Sequence, residues 1–343
     1  MPQRSWPGSL ITKSPVTPDG PFEDGAASGV WTLEEALQWT GKDVWPIGGN
    51  EFSPVIFIGG NSDGTGKGEI DYVNPTTTGN ATKWTDLTTE TSYNGGCSNS
   101  TRALWSPISG DSDMIQYIDY ATGGGGSDFG DVFQADSVGC GALSTSTRGV
   151  FAAGDDSAAR DVISYVTISS TGAASDFGDL TIARYYILGT ASSTRGLFSG
   201  GEASGSPTTR VDYITIASTG NAIDFGGVSP STYWGSGAGN TTYSIYAGGK
   251  DGSADYTNKI QRVEFATLGN YSDFGDLTTA SRGSAGAGNS TRCLFGGGQT
   301  ASSTRTVTIE YVAFATTSDA SDFGDLTQNR NHGGAASKTQ GNL

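Results

Sequence analysis

The sequence predicts an all-β protein: a six-bladed β-propeller closed by a C-terminal strand, with a short N-terminal arm containing one small helix. Three markers that recur in phase along the chain predict this fold. The first reads Asp-Phe-Gly-Asp-Leu-Thr at 176–181, 273–278 and 322–327, with looser copies at 84–88, 128–132 and 224–228. Its aromatic residue recurs at intervals of 45, 48, 48, 49 and 49 residues. A fixed period of this length indicates one supersecondary unit stacked six times.

Each unit divides into four pieces, which are clearest in the last copy. Residues 282–287 are small and glycine-rich, and 290–298 form an apolar run that ends in glycines. Residues 308–314 then alternate between apolar and polar side chains, as a half-buried strand does, and 322–326 carry the recurring segment. Four short strands joined by turns are typical of a propeller blade.

The second and third strands supply the other two markers. The second strand carries one aromatic residue in every unit: Phe57, Trp105, Phe151, Phe198, Tyr246 and Phe295. The third strand returns around Tyr72, Tyr117, Tyr165 and Tyr213. Three markers in phase predict six blades over residues 51–337, between an arm at 1–50 and a tail at 338–343.

The ring is expected to close through the C-terminus. Residues 331–336, after the last recurring segment, align with the first strand of a blade, whereas blade 1 has only a poor first strand of its own at 45–49. The C-terminal strand is therefore predicted to complete blade 1 and to leave no fraying edge. The alternative is that residues 47–50 supply that strand.

Composition restricts the partners of the protein. The formal charge is −16, from 19 basic and 35 acidic residues, which disfavours binding to nucleic acid or to anionic membrane. No run of 18 apolar residues exists, so we expect no membrane insertion, and the first residues lack the apolar region of a secretory signal. The three cysteines are expected to be buried small side chains without a disulfide framework.

The pattern of glycine pairs resembles the kelch repeat. A glycine pair after an apolar strand (59–60, 200–201, 248–249 and 297–298), then a strand with tyrosine, then an aromatic residue followed by leucine make up the resemblance. Trp84 keeps the kelch tryptophan, while the other five units place phenylalanine there. The Ser-Asp-Phe-Gly-Asp-Leu-Thr wording is also similar to repeat proteins of marine bacteriophages over 51–337. That resemblance implies a virion location, on a tail or on the capsid exterior.

The first fifty residues lack the repeat. Thr32 followed by Glu35 matches a capping box and predicts a helix over 33–39, too short to be stable alone. Its apolar side chains and the tryptophans must pack on something, either as a lid on this ring or as an anchor on another subunit. A resemblance of 28–33 and 45–46 to marine phage structural proteins implies an anchor to other virion proteins, through Trp31, Leu33, Leu37, Trp39 and Trp45.

The sequence contains no pattern typical of a catalytic, metal or cofactor site. The repeated Asp-Phe-Gly lacks the other kinase motifs, so it is interpreted as structural. A single histidine, His332, cannot support a histidine-based metal cluster, and a packed or surface role is expected for it. We therefore expect no catalytic residue, no metal, no cofactor and no enzymatic activity.

Four arginines occupy the same position of the repeat and are expected to pair with the repeated acids: Arg102, Arg148, Arg195 and Arg292 with Asp131, Asp179, Asp276 and Asp325.

Binding specificity is expected in the loops between second and third strands. These loops (61–68, 111–113, 155–160, 202–209, 250–258 and 299–305) share one face and vary while the strands repeat. The candidate binding residues on that face are Asp63, Asp155, Asp156, Glu202, Lys250 and Asp251.

Three hypotheses of function follow. The first is a phage virion protein for structure and adhesion, a propeller displayed by its N-terminal arm that contacts host surface glycan or protein. The second is a carbohydrate-active enzyme that uses the central mouth of the ring. The third is a capsid decoration protein without a ligand.

Overall fold

The computed structural model describes residues 53–62, 65–106, 113–133, 139–155, 158–253 and 255–339. The chain divides into two units, 1–53 and 54–343. The short helix and the five anchor residues predicted in the arm lie outside the described residues. The described part is all β, and its strands form the six predicted blades.

Each blade is an antiparallel sheet whose strands are ordered 1-2-3-4 from the ring axis outward. The strands are Gly334–Ser337, Val55–Ile58, Thr65–Val73 and Thr82–Thr91 in blade 1; Gly96–Ser98, Arg102–Trp105, Met114–Asp119 and Gly123–Asp131 in blade 2; Gly141–Ser144, Arg148–Ala152, Arg160–Thr167 and Ser175–Arg184 in blade 3; Leu188–Ala191, Arg195–Ser199, Arg210–Thr215 and Ile223–Gly227 in blade 4; Tyr243–Ala247, Lys259–Glu264 and Ser272–Asp276 in blade 5; and Ala285–Gly288, Arg292–Gly296, Thr308–Ala313 and Ser321–Asp325 in blade 6.

Shorter pairings complete the sheets. In blade 5 the first strand is reduced to two bridges, Ser236 with Ala247 and Gly239 with Ser244. Among the described residues, five two-residue strands add short pairings, of which the first joins the sheet of blade 1: Asn61–Ser62, Glu202–Ala203, Ser206–Pro207, Ser281–Arg282 and Gln299–Thr300.

The C-terminal strand closes the ring, as predicted. Gly334–Ser337 pairs antiparallel with Val55–Ile58, with Ser337 opposite Val55 and Gly334 opposite Ile58. The Ser98 hydroxyl also donates to the Ser337 carbonyl at 2.7 Å, which ties blade 2 to the closing strand. Blade 1 is therefore built from both ends of the propeller.

First strands are rich in glycine and alanine because they touch one another around the axis. A Cβ on Gly96 would lie 2.4 Å from the Ala335 carbonyl oxygen, and one on Gly189 would lie 2.3 Å from the Ala142 carbonyl oxygen. Any larger side chain would push neighbouring backbones apart, so the narrow centre of the ring requires small residues.

The recurring Asp-Phe-Gly segment joins adjacent blades. Its phenylalanine is buried, and its glycine has φ between 137° and 159° in all five copies. A Cβ on Gly178, for example, would lie 2.6 Å from the Gly220 carbonyl of the next blade. The Phe177 carbonyl accepts a hydrogen bond from the Gly220 N–H at 2.7 Å. The structural interpretation of this motif is confirmed.

The predicted pairing of the repeated arginines with the repeated acids is wrong. Each guanidinium instead donates to a backbone carbonyl of the next blade, as Arg148 does to Ile216 at 2.7 Å and Arg292 to Pro75 at 3.1 Å. It also stacks at about 4.7 to 4.8 Å on the tyrosine of its own third strand. The guanidinium binds a carbonyl and not a repeated acid because stacking on the tyrosine face directs it across the blade boundary, whereas the acids lie in the outer strands.

Blade 5 keeps this stack with its two residues exchanged. Tyr243 occupies the arginine position on the second strand, and Arg262 occupies the tyrosine position on the third. The Arg262 guanidinium lies 4.3 Å from the Tyr243 ring centre and donates to the Phe314 carbonyl at 2.7 Å. The contact is thus maintained by the pair and not by either position.

Restoring the usual order in blade 5 is expected to be nearly neutral. We expect Arg262→Tyr alone and Tyr243→Arg alone each to lower the free energy of unfolding by about 1–2 kcal/mol, because each loses the cation–π contact. Arg262→Tyr also leaves the Phe314 carbonyl without its hydrogen-bond donor. The double variant should recover to within about 0.5 kcal/mol of the native protein, since it recreates the arrangement of blade 6. Denaturant unfolding of all four proteins checks this, and strictly additive losses would contradict it.

Buried carboxylates form a second set of contacts between blades. Asp212 accepts hydrogen bonds from the Thr181 hydroxyl at 2.6 Å and from Arg184 Nη2 at 3.1 Å, and both ion-pair partners are fully buried. Asp71, which lies three blades from Asp212, makes the equivalent contacts. It accepts a hydrogen bond from the Thr327 hydroxyl and forms an ion pair with Arg330. Burial lowers the pKa of Arg184 to about 10, so the guanidinium remains charged at neutral pH.

The three cysteines, Cys97, Cys140 and Cys293, are buried and free, as expected. Burial raises the pKa of each thiol, which keeps all three protonated at neutral pH.

Candidate functional site

Six equivalent residues surround the axis at one face of the propeller, just before the first strand of each blade. All six have left-handed backbone, with φ between 55° and 74°. They recur at intervals of 46, 47, 48, 49 and 49 residues, and we call them the mouth ring: Tyr93, Gly139, Tyr186, Trp234, Gly283 and His332. Left-handed φ is uncommon for tyrosine, tryptophan or histidine and costs about 1–3 kcal/mol at each such residue.

A closed circle of backbone hydrogen bonds maintains this conformation. The N–H of each mouth-ring residue donates to the carbonyl of the equivalent residue in the preceding blade, at 2.6 to 3.3 Å. The Tyr93 N–H donates to the His332 carbonyl at 2.6 Å, which closes the circle at the joint of the two chain ends. Ring closure therefore determines the site as well as the fold.

The aromatic side chains of the mouth ring form a continuous cluster. The ring centres of Tyr93 and His332 are 4.4 Å apart, those of His332 and Trp234 4.8 Å, and those of Trp234 and Tyr186 4.6 Å. Tyr186 and Tyr93 complete the circuit at 6.0 Å. The two glycines make room for it, because a Cβ on Gly139 would lie 2.2 Å from the Tyr186 ring.

Two of the predicted binding loops lie beside this cluster. Tyr185 and Glu202 exchange two backbone hydrogen bonds, as do Tyr233 and Lys250, so Glu202 and Lys250 lie beside the mouth. The Tyr185 hydroxyl also donates to Glu202 Oε1 at 2.7 Å. Asp155 stands in the corresponding loop of blade 3.

The other candidate binding residues differ in their placement. Asp251 Oδ1 accepts from the backbone N–H groups of Ser253 and Asp255, so this side chain stabilises its own turn. Asp63 and Asp156 lie outside the described residues. None of these placements establishes a ligand.

Charge is divided unevenly around the mouth. The Arg282 guanidinium lies 4.1 Å from the Trp234 ring centre, and Lys250 Nζ lies 5.9 Å from that of Tyr233. On the other side, Asp155 and Glu202 lie near Tyr185 and Tyr186. Burial is the main cause that raises the pKa of Tyr186 to about 12, and neighbouring groups that include these two carboxylates add to it. The mouth therefore presents an apolar floor with cations on one side and carboxylates on the other.

His332, expected to be packed or superficial, is buried in this cluster. Burial, and then the charges of Arg282 and Arg305, lower its pKa to about 3. The imidazole is therefore neutral at physiological pH and is a poor proton donor there. It serves as a flat surface between Tyr93 and Trp234.

The single histidine makes stability depend on pH in a defined direction. The unfolded chain takes up a proton at His332 below about pH 6.5, whereas the folded protein resists it, so the free energy of unfolding should fall as the pH falls. Between pH 6.5 and 5.5 we expect a loss of about 1 kcal/mol. Denaturant unfolding at several pH values measures it, and His332→Asn should remove the slope. An unchanged slope in that variant would contradict the assignment.

A second ring of six residues lies directly beneath the mouth ring. These residues each follow a mouth-ring residue, and together they border both the mouth and the channel below it. We call them the neck ring: Asn94, Cys140, Ile187, Gly235, Ser284 and Gly333. The mouth encloses about 390 Å³ and the channel about 470 Å³, counting their solvent-open parts. First strands pair on one side only, so each presents the edge of its sheet to the channel.

The mouth ring was not recognised in the sequence, although a signal for it exists. Tyr93, Tyr186, Trp234 and His332 are in phase with the repeat, but the four residue types differ and two ring positions are glycine. A search for aromatic residues at one repeat position would have found them.

The described residues contain no group of three or more His, Cys, Asp or Glu side chains that could hold a metal ion. In the same part of the chain, no helix is long and apolar enough to span a membrane.

Comparisons with known proteins support the fold. No protein-family profile matches the chain, and no curated protein is similar to it in sequence. Among solved structures, 357 chains match. One, described as "Structure of YjhT", is 8% identical with a TM-score of 0.60, over 73% of this chain and 88% of that one. At this identity the likeness shows the fold alone: the protein is a β-propeller.

Proposed function

We propose that the protein is a binding module that takes a saccharide on the aromatic cluster of the mouth ring. One observation carries the proposal: Tyr93, Tyr186, Trp234 and His332 are kept at strained left-handed positions around one opening. Strain of this kind persists only where the surrounding structure imposes it, and it concentrates at functional sites. Flat aromatic faces beside polar and charged groups suit a sugar, which has apolar C–H faces and a polar edge.

We further propose that this module is displayed on a phage particle, where it contacts the host surface. The resemblance of residues 51–337 and of the N-terminal segments to marine phage proteins supports this. In this proposal residues 1–50 anchor the propeller to other virion proteins, and the net charge of −16 keeps the displayed ring soluble.

A glycan-binding experiment tests the saccharide proposal. Tyr186→Gly and Trp234→Gly remove aromatic surface yet reproduce the residue that the chain itself has at Gly139 and Gly283, so the backbone should tolerate them. We expect the native protein to bind members of a surface-glycan panel and both variants to lose that binding. Leu268→Ala, an exposed change on the opposite face, is the matched control. Equal binding by all four proteins would refute the site.

Electron microscopy of native particles tests the virion proposal separately. We expect a six-bladed ring on a tail or capsid neighbour, and loss of that ring from particles when residues 1–50 are removed. A truncated protein that folds and still joins particles would refute the anchor. Absence of the native ring from particles would refute the location.

One contact favours a second candidate, a carbohydrate-active enzyme. The Tyr185 phenol donates to the Glu202 carboxylate at 2.7 Å beside the mouth, and enzymes that cleave glycosidic bonds use carboxylates. Burial raises the pKa of Tyr185, which makes the phenol a poor nucleophile as it stands. Hydrolysis of a panel glycan that Glu202→Gln abolishes would establish this candidate. If no glycan is bound or cleaved, the ligand-free decoration protein is favoured.

A further inference from the structure

The neck ring contains one polar side chain that the protein leaves without a hydrogen-bond partner. Asn94 is only 7% exposed, yet neither its Oδ1 nor its Nδ2 has a hydrogen-bond partner among the residues that the structure describes. Ser284, which also has a polar side chain in the neck ring, does have a partner: its hydroxyl donates to the Gly297 carbonyl at 3.2 Å. A buried amide with unused hydrogen bonds is costly unless another molecule supplies them.

A second unused donor belongs to a residue of the same opening. The indole Nε1 of Trp234 is buried and lacks a partner, and Trp234 and Asn94 border the same opening. Beside Asn94 the wall is small: a Cβ on Gly334 would lie 3.0 Å from Asn94 Oδ1. None of the six neck-ring residues carries a charge at neutral pH, because burial raises the pKa of the Cys140 thiol. The neck thus offers a neutral hydrogen-bonding position.

The chemistry of Asn94 restricts what could bind there. Its amide presents one acceptor and one donor group side by side. Two hydroxyls on adjacent sugar carbons match this arrangement, since one donates to Oδ1 while the other accepts from Nδ2. A carboxylate matches poorly because it only accepts, and an apolar group leaves the amide unsatisfied.

We propose that Asn94 reads a vicinal diol of a neutral hexose, with one edge of the sugar in the neck and its ring on the mouth-ring aromatics. This inference rests on the proposed saccharide function and adds its specificity. Trp234 then makes two contacts with the sugar: its indole face stacks on the sugar ring, and its N–H donates to a further hydroxyl. Asn94 selects among sugars by the diol that points into the channel.

The single histidine provides the assay. His332 contacts Tyr93 and Trp234 in the mouth ring, so its imidazole NMR signals in untagged, histidine-labelled protein report occupancy without overlap from another histidine. We would titrate the full chain with the methyl glycosides of glucose, galactose and mannose. The monodeoxy analogues of any glycoside that binds would follow.

The expected result is a coupled loss. Asn94→Leu should weaken binding of the parent glycoside about tenfold, and deleting one diol hydroxyl should weaken binding to the native protein by a similar factor. The deoxy analogue should bind Asn94→Leu no worse than the parent does, because the same hydrogen bond is already gone. Leu268→Ala, the exposed change on the opposite face, should leave the affinity unchanged.

Two outcomes would overturn the inference, and they are distinguishable. If a glycoside binds but Asn94→Leu keeps native affinity, or if the two losses multiply independently, Asn94 does not read the diol while the saccharide function remains. If no hexoside shifts the His332 signals of the native protein, the neutral-hexose inference fails, while the saccharide proposal at the mouth ring is decided separately by the glycan panel.

Discussion

Truncation after Gly333, which removes the strand Gly334–Ser337, is expected to abolish cooperative folding of the propeller. The strand supplies four residue pairs to blade 1, and each lost backbone hydrogen bond costs about 1 kcal/mol. Its loss also exposes the Val55–Ile58 edge and removes the buried Ala335 and Ala336. The total of at least about 4 kcal/mol is a large share of the 5–15 kcal/mol that stabilises an ordinary domain.

A second truncation, after Thr339, is the matched control because it keeps the closing strand. We expect circular dichroism and thermal unfolding to show one sharp transition for this control and none for the truncation after Gly333. Because His332 remains in both proteins, a difference between them isolates the strand from the mouth ring. Similar transitions in the two proteins would show that blade 1 does not need its C-terminal strand.

Asp212→Ala is expected to destabilise the ring by about 3–5 kcal/mol. The change leaves the Arg184 guanidinium fully buried without its counter-ion, and it also removes the acceptor of the Thr181 hydroxyl. The equivalent change at Asp71 should have an effect of the same order, because Arg330 is placed in the same way. Denaturant unfolding of the purified variants measures both losses.

An exposed ion pair in the same blade provides the comparison. Arg210 and Asp224 are 2.6 Å apart, but their side chains are 34% and 58% exposed, so Asp224→Ala should cost less than about 1 kcal/mol. Replacing both buried partners, in Arg184→Leu with Asp212→Leu, should recover part of the loss, because no unpaired charge remains. If Asp212→Ala and Asp224→Ala cost the same, the buried pair lacks the role assigned to it.

The wall of the channel shows how far local patterns reach. The sequence shows that first strands are small and glycine-rich. The reason is visible only in the structure, where Gly96 of blade 2 closely approaches the backbone of Ala335 in blade 1. Likewise the double role of the Asp-Phe-Gly glycines, left-handed backbone and close approach to the next blade, depends on a neighbour nearly fifty residues away.

The arginines illustrate where sequence reasoning fails. Arg148 and the repeated acids share a period, so pairing by charge was a natural prediction. The structure places a tyrosine face and a carbonyl within reach instead. Blade 5 carries the relevant signal, because Tyr243 and Arg262 exchange places together, but only the register of the two strands shows that they touch.

By itself the sequence determined the all-β class, the six blades and the closing strand, because these follow from spacing and alternation along the chain. Only the tertiary structure decided which residues surround the axis. The mouth ring and neck ring each draw one residue from every blade, and their positions depend on a backbone conformation that tyrosine, tryptophan and histidine rarely adopt. A circle of six hydrogen bonds, formed once the ring has closed, imposes that conformation.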